Sequence, residues 1–277
     1  MSDIHITELG TDIVGLDPQS RFRRCLDHAA KHHGDASHLY LMGDLTHHGT
    51  QPEYEILREI LSAQPFPVTL MLGNHDRRGP FAQVFSKQST TFQQGHQDFG
   101  VTRILYLDTL DENAPNKHSG LMCRARINWL QAQLEAGQGP MIVLAHHHML
   151  ASGFEGMDEI KLSNRLAVAK MIAGSNRCQM VINAHIHRVI FSTFKGVAHS
   201  MIKSPCHQMP MVLGAGASSL SVTEPGGYGI LLLDAVSPVL HHVDVDLPNG
   251  PVEFDAVSLS FKRPMPWHGM KQSQTKF

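Results

Sequence analysis

Short apolar runs that alternate with amphipathic stretches constrain this chain more than any other feature of its sequence. Residues 38–42, 67–72, 103–107, 141–145 and 180–183 are runs of four to six residues, long enough for a buried strand and too short for a helix. Helix signals lie between them. Asp17 offers an N-cap, Pro18 stands at the first helical position, and the segment they open runs to about residue 31. Residues 53–62 place Tyr54, Leu57, Ile60 and Leu61 on one face, and residues 123–136 do the same with Ile127, Leu130 and Leu134. Strand and helix in alternation predict a layered α/β fold. Beyond residue 183 the runs at 189–194, 209–213, 229–233 and 239–245 are β-type and separated by Gly, Pro and Ser clusters. They predict added β-structure that completes a sandwich. The expected division is a domain over residues 1–250 and a C-terminal extension or tail over 251–277, polar and mildly basic from Lys262 onward.

Composition excludes several classes of function. The 277 residues carry 23 Lys and Arg against 25 Asp and Glu, so no strong positive field is available to bind a nucleic-acid polymer or an anionic membrane surface. At 42% hydrophobic and 17% charged residues the chain has the make-up of a folded protein, not a disordered one. No apolar run approaches the roughly 18 residues of a membrane span. The first residues show neither a basic nor an apolar leader region, and the expectation is a cytoplasmic protein. Cys25, Cys123, Cys178 and Cys206 form no Cys-x-x-Cys pair, which suits reduced thiols better than a disulfide framework or a thiolate zinc site. The unusual count is 20 His against four Tyr and two Trp. Histidine is the commonest metal ligand, so the positions of these residues matter.

Five blocks place acid, amide or imidazole side chains where predicted strands end: Asp3-Ile4-His5, Gly43-Asp44, Gly73-Asn74-His75-Asp76, Ala145-His146-His147-His148 and Ala184-His185-Ile186-His187. Ligands of α/β sheets collect beyond the carboxyl ends of strands. Asp3/His5 and His185/His187 are i, i+2 pairs, a spacing that on extended backbone sends both side chains to one side. Carboxylates, imidazoles and an amide oxygen form an N/O ligand set suited to Zn, Mn or Fe(II).

In this order the blocks resemble the calcineurin-like metallophosphoesterase superfamily, whose pattern is D-x-H, GD, GNH(D/E), H and GHxH, over residues 3 to about 210. Within it the likeness is greatest to class III cyclic nucleotide phosphodiesterases and bacterial glycerophosphodiesterases. Pro52-Glu53-Tyr54, Trp129-Leu130, Met157-Asp158 with Asn164, and Pro205-Cys206-His207-Gln208-Met209-Pro210 support that placement. The resemblance implies an α/β/β/α sandwich of two mixed sheets flanked by helices, and two divalent metal ions (Mn, Fe or Zn). Asp3, His5 and His187 would hold one ion, Asn74, His146 and His185 the other, and Asp44 would bridge them. A hydroxide bridging the metals would attack phosphorus. His75 would serve the leaving group, Asp76 would orient its imidazole, and Asn74, His75 and His207 would meet the substrate. The implied activity is hydrolysis of a small phosphodiester, a 3′,5′-cyclic nucleotide first and a glycerophosphodiester next, with a homo-oligomer as the implied assembly.

Two rivals are weighed against this. A phosphomonoesterase would grip its dianion with arginines, and only Arg77-Arg78 are candidates. A silent scaffold would be expected to lose ligands, whereas all seven positions are filled. Other histidines read as structural: His32-His33 as the end of a solvated helix, His241-His242 as a β-run pair of which at least one faces solvent, His47-His48 as a surface loop although close enough to the Asp44 block to reach the pocket, and His147 and His148 as support or packing behind a ligand. Arg77-Arg78 read as exposed. Ala184 stands where the family has glycine, so a backbone with positive φ there would carry a Cβ penalty. Only Met1 and Ser2 precede Asp3, whereas the family normally has a complete strand there; the expectation is either that the true start lies upstream of this sequence or that the first strand is missing and Asp3 and His5 are held less rigidly.

Overall fold

The computed structural model describes residues 1–85, 92–214, 220–233, 237–247, 254–255 and 260–261. The chain divides into two compact units, residues 1–245 and 246–277, against a division read from the sequence at residue 250. The described part of the second unit is one antiparallel pair, β11 (Phe254–Asp255) with β12 (Ser260–Phe261). The polar segment from Lys262 lies outside the described residues.

The first unit begins with α1 (Pro18–His32), whose N-cap Asp17 accepts a hydrogen bond from Gln19 N at 3.0 Å. It continues with β1 (Leu39–Met42), α2 (Gln51–Ser62), β2 (Val68–Met71), α3 (Arg78–Val84), β3 (Gly95–Phe99), β4 (Thr102–Leu107) and α4 (Arg124–Glu135). The remainder is β5 (Met141–Ala145), α5 (Glu155–Glu159), α6 (Arg165–Gly174), β6 (Cys178–Asn183), β7 (Ile190–Phe194), β8 (Val197–Met201), β9 (Gly227–Leu233) and β10 (Pro238–Asp244). All five buried strands and all three helices expected from the periodicity are present. The strand expected over 209–213 is not. Met209 is buried while Met211, Val212 and Leu213 are exposed, and the segment is irregular.

One sheet has six strands in the order β3-β4-β5-β6-β8-β7, parallel through β4, β5, β6 and β8 and antiparallel at both edges. The period-two alternation of its strands separates two faces. Leu105, Leu107, Val143 and Val181 meet Leu130 and Leu134 of α4 and Val168 and Ile172 of α6. Ile104, Ile142, Leu144 and Ile182 meet Met42 and Met71 of the parallel pair β1-β2. The far side of that pair is covered by Phe22 and Leu26 of α1 and by Tyr54, Leu57 and Ile60 of α2. Helices, two β layers and helices follow one another, as expected of an α/β/β/α sandwich, but among the described residues only the six-stranded sheet is mixed, β1-β2 being a parallel pair and β9-β10 an antiparallel one.

Register brings the chemistry to one edge. Leu107 pairs with Ala145 and Ala145 with Asn183, so Asp108, His146 and Ala184 leave their strands at the same level. Met42 pairs with Met71, so Asp44 and Asn74 leave theirs together. The chain start runs beside β1: Met42 N donates to Met1 O at 2.9 Å, and Ile6 bridges Thr46 in parallel.

Asp108 organises the loop beside that edge. It is fully buried and accepts from Arg78 at 2.6 and 2.7 Å, from Arg126 at 3.1 Å and from Gln93 N at 2.7 Å. Arg78 is therefore a buried-side clamp, not the exposed residue read from the sequence. Asp108→Ala would strand the nearly buried Arg126 guanidinium without its carboxylate. The expected loss is about 3–5 kcal/mol, checked by urea denaturation; a midpoint equal to wild type would contradict it.

Candidate metal centre

The five residues that carry most of the expected ligand set share an unusual backbone. Asp3 (φ 56°), His5 (φ 47°), Asp44 (φ 48°), His185 (φ 75°) and His187 (φ 53°) all lie in the left-handed region. The pairs do not lie on the extended backbone that their i, i+2 spacing predicts; they converge because each residue turns its side chain inward from a left-handed position. Such positions cost non-glycine residues roughly 1–2 kcal/mol each and persist where surrounding structure over-determines them. The surroundings do so. Asp3 N donates to Gly43 O and His5 N to Asp44 O, both at 3.0 Å. His185 N donates to the Asp3 carboxylate at 3.2 and 3.3 Å, and Ser204 Oγ to Asp3 O at 2.7 Å. Asp3 and His5 are thus held by the same kinds of bonds as the other loops, which corrects the expectation of a looser start.

Ala184 does not have a positive φ; the strained position is the next residue, His185. The Ala184 methyl is fully buried between the sheets, so alanine meets no backbone penalty here. Glycine is required elsewhere. A Cβ on Gly73 would stand 2.2 Å from Asp44 Oδ1, and one on Gly43 would stand 2.6 Å from His146 Nδ1.

All seven expected ligand residues are buried and meet at one place. His187 Nε2 lies 3.4 Å from Asp3 Oδ1 and 3.1 Å from His5 Nε2. Asp44 Oδ2 stands between the two halves, 3.8 Å from His5 Nε2 and 3.4 Å from His146 Nε2. His146 Nε2 is 3.2 Å from Asn74 Oδ1, and His185 Nε2 is buried without a hydrogen-bond partner. Ligand atoms that each sit about 2.1 Å from one ion are spaced by about 3.0–3.4 Å; four of these five separations fall in that range, and the His5–Asp44 one is 3.8 Å.

The donor set asks for cations. His146 Nδ1 donates to Met42 O and His187 Nδ1 to His207 O, both at 2.9 Å. Each ring therefore turns a bare Nε2 lone pair inward, where it faces carboxylate or amide oxygens that are themselves acceptors. Buried acceptors that face one another are costly unless a proton or a metal ion lies between them. In the metal-free site a proton takes that place. Burial would depress the His146 imidazole, but Asp44 and Asp3 push it up to about 9. Burial would raise the Asp44 carboxyl, but the His146 and His75 imidazoles hold it well below the usual carboxylate range. His5 and His185 are held well below the usual histidine range, by burial first and then by neighbouring imidazoles.

Around this centre stands a rim of further imidazoles. His75 Nδ1 bonds to His47 O at 2.8 Å, and its ring lies 4.7 Å from that of His5. Asp76 does not orient it. The Asp76 carboxylate instead accepts from Gly73 N (2.9 Å), Leu45 N (3.2 Å), Thr46 N (3.3 Å) and Tyr54 OH (2.9 Å), tying together the two loops that carry Asp44 and Asn74. Burial and the Asp44 charge push its carboxyl up to about 6. His207 lines the same mouth, its ring 4.4 Å from His187.

His47, read as surface, is half-buried and stacks on His75 at 5.1 Å, with Nδ1 3.4 Å from His5 Nδ1; His48 is the exposed member of that pair and bonds to Glu53. His147 stays behind the ligands, with Nδ1 on Thr109 Oγ1 (2.7 Å) and Nε2 on His118 O (3.0 Å). His148 pairs with Asp158 at 3.2 Å. Arg77 Nη1 donates to Asn74 O and Asp76 O. His118, whose ring lies 5.7 Å from His75, has no sequence signal, since it stands alone in a polar loop.

Comparison with known proteins agrees with this architecture. Residues 1–189 match the family model described as calcineurin-like phosphoesterase. A probable cyclic nucleotide phosphodiesterase of Rhodopseudomonas palustris is 32% identical over 246 residues, covering 87% of this chain and 89% of that protein. A probable glycerophosphodiester phosphodiesterase of Arcobacter nitrofigilis is 25% identical over 233 residues, covering 81% and 84%. Among solved structures, a dimetal phosphatase from Danio rerio superposes with a TM-score of 0.58 at 12% identity, covering 76% of this chain and 87% of that one, a likeness of fold.

Proposed function

The chain belongs to the calcineurin-like phosphoesterase family, and from that premise we propose that it is a dinuclear-metal phosphodiesterase acting on a small phosphodiester, with a 3′,5′-cyclic nucleotide as preferred substrate. Asp3, His5 and His187 would hold one ion, Asn74, His146 and His185 the other, with Asp44 shared. The observation that carries this reading is the convergence of bare imidazole and carboxylate lone pairs on both sides of Asp44 Oδ2. Two divalent ions would supply the charge that activates a water near neutral pH and neutralises the phosphoryl oxygens. The chain's own residues do the rest. Asp44 is fixed by His75 N, which donates to Oδ1 at 2.9 Å. His75 donates Nδ1–H to His47 O at 2.8 Å, which leaves Nε2 as the atom that, in the imidazolium form, would give a proton to the leaving alkoxide. His207 and Asn74 border the space where the phosphoryl group sits.

A diester is favoured over a monoester by the arginines. A dianionic monoester calls for guanidinium groups that bind it bidentately, yet Arg78 is clamped to Asp108 and Arg77 to backbone carbonyls. The name of the R. palustris relative supports the cyclic nucleotide, and the A. nitrofigilis relative keeps a glycerophosphodiester as the second substrate. No helix among the described residues is long and apolar enough to cross a membrane, and the four cysteines are free; both suit an enzyme of the cytoplasm. After loading with Mn²⁺, bis(p-nitrophenyl) phosphate should be cleaved at least about tenfold faster than p-nitrophenyl phosphate, and 3′,5′-cAMP faster than a glycerophosphodiester. Faster turnover of the monoester would overturn the diester assignment.

A further inference from the structure

The amide of Asn74 has two nearly equal orientations, and only one suits a metal ligand. Its Oδ1 faces His146 Nε2 at 3.2 Å, and its Nδ2 faces His118 Nδ1 at 2.9 Å. For the neutral His146 ring, the form that can ligate an ion, the opposite orientation has a local advantage: with Nδ1–H on Met42 O, Nε2 is a bare lone pair at which a flipped amide would direct an N–H donor. That flip would also place a donor where a cation has to bind. Something outside the ligand set has to reward the productive orientation.

We propose that His118 is a positioning residue, whose Nδ1 acceptor holds the Asn74 amide with its oxygen toward the metal. The inference rests on the reading of Asn74 as a ligand and deepens it. His118 is built for this task from its own backbone. His118 O accepts from His147 Nε2 at 3.0 Å, and Thr109 Oγ1 donates to His147 Nδ1 at 2.7 Å, which fixes the His147 tautomer. Asn116 Oδ1 accepts from His118 N at 3.1 Å and from Ser119 N at 2.8 Å, shaping the turn. A continuous line therefore runs from Thr109 at the end of β4, through His147 at the end of β5, to His118 and Asn74. It assigns the middle histidine of the His146-His147-His148 run a purpose: its ring nitrogens lie near those of His146 and His185, yet both are already engaged. Groups that orient a metal ligand typically account for about 10–100-fold in affinity.

The test is a Mn²⁺ titration of the full chain, followed by EPR and equilibrium dialysis, for wild type, His118→Phe and His118→Asn. Phenylalanine keeps the ring and removes the acceptor; asparagine places an acceptor oxygen near the position of Nδ1. The ring is exposed, and thermal melts check that all three proteins fold alike. The expected result is two ions in wild type, one of the two sites weakened by about 10–100-fold in H118F, and affinity restored in H118N. Unchanged affinity at both sites in H118F, or H118N as weak as H118F, would overturn the proposal while leaving the dinuclear centre standing. Fewer than two ions in the wild-type protein would instead overturn the dinuclear reading itself.

Discussion

Asp44→Ala is expected to abolish phosphodiester hydrolysis and to strip metal from the same protein. Its Oδ2 lies 3.8 Å from His5 Nε2 and 3.4 Å from His146 Nε2, one residue from each proposed ligand group. Without it neither ion keeps its full set of anionic ligands, and activity should fall by at least about 10³-fold, several kcal/mol of transition-state stabilisation. Metal analysis and turnover of bis(p-nitrophenyl) phosphate check both halves. A variant that kept two ions, or one that lost them and stayed active, would contradict the role. The variant should also change how metal uptake depends on pH. In the metal-free wild type, Asp44 helps hold a proton on His146 up to about 9. That raised value stabilises the metal-free fold fully below the unfolded histidine range near 6.5, and the contribution is lost as pH rises through about 9. An incoming ion has to displace this proton, so affinity for metal should climb with pH toward 9 in wild type and do so less steeply without Asp44.

His75→Ala is the second large effect, and its signature is the opposite. The imidazole touches the centre from the side of the rim and is not counted among its ligands, so both ions should remain. The backbone N–H that donates to Asp44 Oδ1 is retained whatever the side chain. What disappears is the proton held at Nε2 for the departing alkoxide, and kcat should fall by about 10²–10⁴ with metal content unchanged. Because the missing proton matters least when the leaving group is already acidic, the loss should be smaller for p-nitrophenyl esters than for 3′,5′-cAMP. Full activity toward the cyclic nucleotide would remove His75 from the mechanism.

The strands and helices of the sandwich were legible because their side-chain periods are local. Val143 and Ile142 alternate between two cores, and Leu57 and Ile60 repeat along one helix face. The convergence of Asp44, Asn74, His146 and His185 was legible because each follows a strand end, and register places those ends at one level. What stayed hidden depends on backbone conformation or on distant partners. Nothing in Asp3-Ile4-His5 announces left-handed residues, because that conformation is fixed by the bonds that Asp3 N and His5 N donate to the distant Gly43 and Asp44 carbonyls. Asp76 sits beside His75 in sequence but turns away from it toward Tyr54 and three backbone amides. Arg78 could not be separated from a surface residue without its carboxylate 30 positions downstream. His118 reaches Asn74 from a loop 44 residues away.

Anomalous diffraction from a crystal grown with Mn²⁺ addresses the shared carboxylate most directly. Two peaks should appear about 3.5–4 Å apart, one beside Asp3, His5 and His187, the other beside Asn74, His146 and His185, with Asp44 in ligand contact with both. A single peak, or a pair that Asp44 does not touch, would contradict the account.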